Sequence, residues 1–143
     1  MDGKMAKKLD TKTDWAGYYR GSVYRIAATN RFDVHTERAS YWTIMKKVGP
    51  AAWQRIVYDD NGNYFATVIG LAFVYENGDR TFESVGLNTN SVRDNLVTKI
   101  KRGRVYKYQH TSRQSTSDTT VPNNKVNFST FHRVKSLPTN IIF

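Results

Sequence analysis

Two Asn-Gly pairs constrain the fold of this chain more than any other feature, because each lies between strand-like segments. Asn61-Gly62 and Asn77-Gly78 are flanked by runs of mostly β-branched, aromatic and aliphatic residues. Such a pair favours a tight β-hairpin, since both residues tolerate the positive φ angles that the turn requires. The strands predicted around the two turns are Trp53–Tyr58, Tyr64–Tyr75 and Arg80–Leu87.

The remaining sequence adds further strands and one predicted helix. Aromatic and β-branched residues predict strands at Tyr18–Ile26, Arg104–His110 and Lys125–Val134. Thr89–Arg102 fits a helix, because its apolar residues recur at helical spacing and Gly103 stands where a helix commonly ends. This order predicts a mainly β chain with the OB-fold, a five-stranded Greek-key barrel with one α-helix between strands 3 and 4.

The length predicts a single domain with short extensions. A chain of 143 residues is long enough for one hydrophobic core. Residues 1–14 are polar and rich in lysine, which predicts a flexible basic tail that could contact nucleic acid or a neighbouring subunit. The OB-fold domain is expected over residues 15–137, and residues 138–143 are expected to form a short C-terminal tail.

The charge of the chain is strongly positive and unevenly distributed. Lysine and arginine number 22 against 12 aspartate and glutamate, a net charge of +10. Residues 99–143 contain nine of the basic residues and one acidic residue, Asp118. A positive field concentrated in one third of a small protein indicates an anionic partner, although a solubilising surface would give the same composition.

The composition argues against several classes of function. The chain has no cysteine, which excludes disulfides, thiolate zinc sites and a cysteine nucleophile. His35, His110 and His132 share no metal-ligand spacing, and neither a phosphate-binding loop nor a nucleophile elbow occurs. We therefore expect a protein that is not an enzyme and has no cofactor. No apolar run approaches the roughly 20 residues of a membrane span, so we expect a cytoplasmic protein without a membrane partner.

One predicted strand combines cations with aromatic rings, as single-strand-binding surfaces do. Arg104–His110 alternates, so that Tyr106 and Tyr108 share a face that is either exposed or part of the core. Exposure would place both rings on a groove. The full set of residues predicted to bind nucleic acid is Arg20, Tyr24, Arg25, Arg102, Arg104, Tyr106, Lys107, Tyr108, Arg113, Lys125 and Arg133.

The second half of the chain resembles bacterial-type single-stranded-DNA-binding proteins. The resemblance covers roughly residues 80–135 and rests on three consecutive segments and a final strand. These are Phe82–Leu87, Val92–Ile100, Lys101–Tyr106 and Lys125–Val134. The family implies an OB-fold, a homo-oligomer, and single-stranded DNA held by basic side chains and stacked aromatic rings. Carried over by position, it points to Arg102, Arg104, Tyr106 and Tyr108, and to Tyr24.

The chain departs from that family in ways that bear on its function. Residues 27–63 do not follow the family pattern, and no acidic residue follows Asp118, so we do not expect the recruitment of partners through an acidic tail that cellular members show. Such divergent relatives are expected on mobile elements such as phages and conjugative plasmids. The sequence thus predicts binding of single-stranded DNA with little sequence specificity. An RNA-binding module, a structural or assembly protein of a phage or transfer apparatus, and a small-ligand β-barrel are the alternatives.

Overall fold

The computed structural model of the chain describes residues 6–28, 34–84, 95–114 and 125–142. Within these ranges the chain forms nine β-strands and no helix. The strands are β1 (Lys7–Leu9), β2 (Gly17–Ala28), β3 (Val34–Lys47), β4 (Ala52–Asp59), β5 (Tyr64–Tyr75), β6 (Arg80–Ser84), β7 (Asn95–Lys101), β8 (Arg104–Gln114) and β9 (Lys125–Val134).

Eight of these strands close into an antiparallel barrel. From β2 to β9 each strand pairs with the next along the chain, and β9 pairs with β2 to complete the circle. Strand β1 adds to one edge of β5 below the start of β4. We call the end at which β2 and β8 begin the lower end. Strands β2, β3, β8 and β9 run several residues beyond the others at the upper end.

The prediction of a mainly β barrel is confirmed, but the predicted helix and the number of strands are wrong. Residues 95–101 of the predicted helix form β7, while 89–94 lie outside the described residues. Val97, Thr98 and Ile100 are β-branched and pair well across a sheet, which overrides the helical spacing. Eight strands in up-and-down order replace the five Greek-key strands.

Gly103, which was predicted to end a helix, lies in the turn between β7 and β8. Arg102 has a φ of 52° and Gly103 a φ of 76°. Two consecutive residues with positive φ are what a tight hairpin turn requires. Gly103 therefore serves a hairpin rather than the end of a helix, and the exposed Arg102 adopts a conformation that non-glycine residues rarely take.

The barrel interior is filled with aromatic side chains around its lower half. Trp15, Tyr19, Phe82, Tyr108 and Phe131 are fully buried there. The rings of Tyr108 and Phe131 stack with centroids 5.2 Å apart. Gly21 makes room for this stack, because a Cβ at that position would lie 2.5 Å from the Phe131 ring.

The N-terminal segment closes the lower end of the barrel. The predicted flexible tail spans residues 1–14, yet Lys7–Leu9 pair with β5 as strand β1. The Asp14 amide then donates a hydrogen bond to the carbonyl oxygen of Gly103 in the β7–β8 turn, and its carbonyl oxygen accepts one from the amide of Val105 in β8. This crossing brings Trp15 under the core, where its ring contacts Phe82 and Tyr108.

The C-terminal segment covers the outer face of the barrel. Leu137 and Ile141 pack on outward-facing side chains of β3 and β4, including Ile44 and Tyr58. Ile141 is buried, although it lies in the predicted C-terminal tail. Within the described ranges, the structure holds no helix that is long and apolar enough to cross a membrane.

Candidate nucleic-acid interface

A row of basic side chains crosses four neighbouring strands on the outside of the barrel. Arg20 of β2 lies opposite His132 of β9, His132 lies opposite Lys107 of β8, and Lys107 lies opposite Lys99 of β7. Directly opposed residues on adjacent antiparallel strands are about 5 Å apart. We call these four residues the basic row; it spans about 15 Å of sheet.

The same row continues in the other direction with aromatic residues. Trp42 lies opposite Arg20, Tyr58 opposite Trp42, and Tyr64 opposite Tyr58. The Arg20 guanidinium lies 4.4 Å from the centroid of the Trp42 ring. Tyr58 is buried beneath the C-terminal segment, whereas Tyr64 is 61% exposed. Aromatic residues therefore continue the row across β3, β4 and β5, and of these three rings that of Tyr64 is largely exposed.

Acidic residues are nearly absent from this side of the barrel. The sequence has no aspartate or glutamate in residues 95–114 or 125–142, which include all of β7, β8 and β9. Two acidic residues of neighbouring segments lie close to this side: Asp60 forms an ion pair with Arg20, and the Oδ2 atom of Asp14 lies 3.9 Å from the Nε atom of Arg104. Both of these pairs are partly solvent-exposed and contribute little stability. The outer wall formed by β7–β9 is consequently a surface of net positive charge.

A bulge decides the orientation of the two tyrosines of β8. Lys107 pairs with Lys99, but Val105 pairs with Ile100, so that Tyr106 is an extra residue in β8. Such an extra residue interrupts the alternation of faces. Tyr106 is therefore exposed, while Tyr108 is fully buried in the core. The prediction that both rings could share an exposed face is wrong for Tyr108, which cannot stack on a base without unfolding the barrel.

Arg133 lies in the barrel rather than on its surface. Its guanidinium donates hydrogen bonds to the carbonyl oxygens of Val105 at 2.7 Å and Ala16 at 2.5 Å, and to the Tyr19 hydroxyl at 2.9 Å. Burial lowers the pKa of Arg133 from its ordinary value and raises the pKa of Tyr19. The three bonds join β9, β8 and the start of β2, so that Arg133 closes the lower end of the barrel.

The other predicted residues lie at two distant levels of the barrel. Arg102 and Arg104 are exposed at the β7–β8 turn, at the lower end. Four more belong to the upper extension, where their backbone positions are described but their side chains lie outside the described residues: Tyr24, Arg25, Arg113 and Lys125. Arg113 is six residues above Lys107 along β8, or about 20 Å. The predicted residues therefore do not form one compact site.

Three functional candidates were missed by sequence reasoning. Lys99 lies in the segment predicted to be a helix, and His132 lies in a predicted strand whose neighbours no local pattern identifies, so the sequence does not reveal the basic row. Arg55 lies within a predicted strand and is only 6% exposed, inside the barrel. The alternation Trp53, Arg55, Val57 was its one signal, because it places a cation on the same face as two core residues.

No site for metal or acid–base chemistry stands out among the described residues. No group of three histidine, aspartate or glutamate side chains there could hold a metal ion. Asp59 and Asp60 belong to the β4–β5 turn, where Asp59 accepts hydrogen bonds from the backbone amides of Asn61 and Asn63. No protein-family model matches the chain, and no curated protein matches it significantly.

Proposed function

We propose that the chain binds single-stranded nucleic acid, with little sequence specificity, on the outer wall formed by β7, β8 and β9. The observation that carries this proposal is the basic row, in which Arg20, His132, Lys107 and Lys99 occupy adjacent strands without an acidic residue on β7–β9. Phosphates provide the charge that such a row attracts, and they supply most of non-specific affinity. No chemistry is required of the protein, so the proposed role is binding and not catalysis.

Exposed aromatic rings beside the cations favour a single strand over a duplex. Tyr106 is 39% exposed on the β8 bulge, next to Lys107 and two residues from Arg104. An unstacked base can lie on such a ring, with a contribution of about 1–3 kcal/mol. Bases in a duplex are stacked on one another and cannot do so. Single-stranded DNA is the proposed ligand, and RNA is the alternative, because ring stacking does not distinguish the two sugars.

The central experiment measures the binding of a labelled oligo-dT by fluorescence anisotropy across a salt series. For single strands, the slope of log affinity against log salt is about −0.7 for each phosphate contacted. The double variant Lys99→Gln/Lys107→Gln should weaken binding and make the slope shallower by about 1.4. Tyr106→Ala should lower affinity by about 5- to 150-fold while leaving the slope unchanged.

Matched controls separate the proposed wall from the general charge of the protein. Lys46→Gln/Lys47→Gln removes two charges as well, but from the lower end of β3, which is separated from β9 by strand β2. This control should retain the wild-type slope. Equal losses in the two double variants would refute the assignment to β7–β9. Equal competition by duplex and single-stranded DNA would refute the preference for a single strand, and stronger competition by oligo-rU would favour RNA.

A further inference from the structure

Arg55 carries a charge inside the barrel that has no acidic partner among the side chains that the structure describes. The side chain is only 6% exposed, and its Nε atom has no hydrogen-bond partner. Its guanidinium contacts rings instead, at 4.9 Å from the centroid of Phe131 and 5.9 Å from that of Tyr108. Ring contacts offset only part of the free energy lost when a cation leaves water. The position therefore calls for an anion.

Buried hydroxyl groups without partners lie on the same inner surface. The Tyr108 hydroxyl belongs to a ring that Arg55 contacts. Thr43 is diagonal to Arg55 across the β3–β4 pair, and Ser129 is two residues above Phe131 on the inner face of β9. The Oγ atoms of both residues are buried and make no hydrogen bond. Buried polar atoms are nearly always hydrogen-bonded in native proteins, so four such atoms on one inner surface offer a polar ligand group several hydrogen bonds.

The acidic side chains that the structure describes are engaged elsewhere or exposed; the side chain of Glu37 lies outside the described part. Asp10 is held by Thr13 near the lower end, and Glu83 pairs with Lys7 on the outside of the barrel. Asp60 pairs with Arg20, also on the outside. Glu76 and Asp79 belong to the β5–β6 turn. None of them forms an ion pair with Arg55.

We propose that the barrel interior binds a small organic monocarboxylate with an apolar body, whose carboxylate pairs with Arg55. The planar guanidinium matches a carboxylate with two parallel hydrogen bonds. The hydroxyls of Thr43, Ser129 and Tyr108 lie on the same inner surface, and none of them makes a hydrogen bond that would compete with donation to a ligand. A single cation suits a single negative charge, whereas a phosphate dianion would call for further cations.

The surroundings of Arg55 require the rest of the ligand to be apolar. Val57 and Val68 flank Arg55 on the inner faces of β4 and β5, and Phe131 and Tyr108 face it. An eight-stranded barrel has an interior wide enough for side chains or for one small ligand. At the upper rim, the ring centroids of Tyr41 and the exposed Phe65 are 4.9 Å apart. These two rings form an apolar surface that an apolar ligand can contact as it enters.

The experiment compares decanoate with decanol, two probes that differ in the charged group alone. Binding to the wild-type protein is measured by isothermal titration calorimetry, and by the shift of the thermal unfolding midpoint with ligand concentration. Decanoate should bind about 10- to 150-fold more tightly than decanol, as expected for a charge-assisted pair with buried donors. In Arg55→Met the difference in affinity between decanoate and decanol should disappear. Without ligand, this variant should unfold at the same temperature as the wild type or at a higher one, because an unpaired buried charge has been removed.

Lys47→Met is the matched control, because it also removes one charge and one contact with an interior ring. Lys47 is exposed at the end of β3, with its Nζ atom 5.9 Å from the Trp53 centroid. This variant should keep the preference for decanoate. Equal affinities of the wild-type protein for decanoate and decanol, or no binding of either, would overturn the proposal even if Arg55→Met failed to fold. A retained preference in a folded Arg55→Met would overturn it as well.

Discussion

Replacing Arg133 by methionine tests whether this arginine closes the barrel or binds nucleic acid. The structure gives its guanidinium three hydrogen bonds, to the carbonyl oxygens of Val105 and Ala16 and to the hydroxyl of Tyr19. Its carbon atom Cζ also lies 5.0 Å from the centroid of the Tyr19 ring. Methionine can fill much of the same space but can donate to none of these acceptors. The variant therefore removes the bonds with little change in packing volume.

The expected loss of stability follows from those bonds. A hydrogen bond to a charged group contributes about 1.5–3 kcal/mol, and the side chain is half-buried, so part of the sum is offset by its desolvation. We expect Arg133→Met to lower the free energy of unfolding by about 3 kcal/mol, a substantial part of the roughly 5–15 kcal/mol of a typical domain. In a chain of this length the loss corresponds to a midpoint about 10 °C lower.

Urea and thermal unfolding followed by circular dichroism measure this effect. The slope of the free energy of unfolding against urea concentration should stay constant, because the variant exposes the same surface area on unfolding as the wild type. Arg133→Lys should be nearly as unstable as Arg133→Met. A single ammonium group cannot reach all three acceptors, because they are placed around a planar guanidinium. The salt slope of oligo-dT binding should be unchanged in both variants. An unfolding midpoint equal to that of the wild type in Arg133→Met would refute the structural role, and a shallower salt slope would restore Arg133 to the binding site.

Two further predictions concern the β8 bulge and the N-terminal crossing. In urea unfolding, Tyr108→Ala should lower the free energy of unfolding by about 3–5 kcal/mol, because the Tyr108 ring is buried. Tyr106→Ala should lower it by less than about 1 kcal/mol, because the Tyr106 ring is exposed. Similar losses in the two variants would contradict the bulge. Burial opposes the ionisation of Asp10, but hydrogen bonds from Thr13 and from the backbone amides of Lys12 and Thr13 outweigh it and lower its pKa from the ordinary 3.8. Its carboxylate therefore stabilises the fold above that pH, and this contribution is lost as the pH falls through the folded value. Asp10→Asn should be less stable than the wild type at neutral pH, and the difference should vanish in strong acid; a difference independent of pH would contradict this account.

The candidate site could be predicted from the sequence only in part. Residues form one binding site only if they lie at the same height along the barrel axis, on neighbouring strands. The excess of cations in the last third of the chain was evident, and Arg20 and Lys107 were among the predicted residues. Their neighbour Lys99 was hidden by the helix assignment, and His132 became relevant only through its pairing with both. Cross-strand neighbours are remote in sequence, so no local pattern identifies them.

Local sequence by itself determined the β character of this protein and its hairpins. Asn-Gly pairs end β4 and β5 as predicted, with positive φ at Gly62 and Gly78, because turn geometry depends on the few residues that form it. The tertiary structure decided the strand count, the strand at 95–101, and which of Tyr106 and Tyr108 faces the core. Those outcomes depend on the partner strand: a bulge exists only relative to a neighbour, and a barrel closes only when its first and last strands meet. The enclosed position of Arg133 follows from the same closure, which places its guanidinium beside Val105, Ala16 and Tyr19.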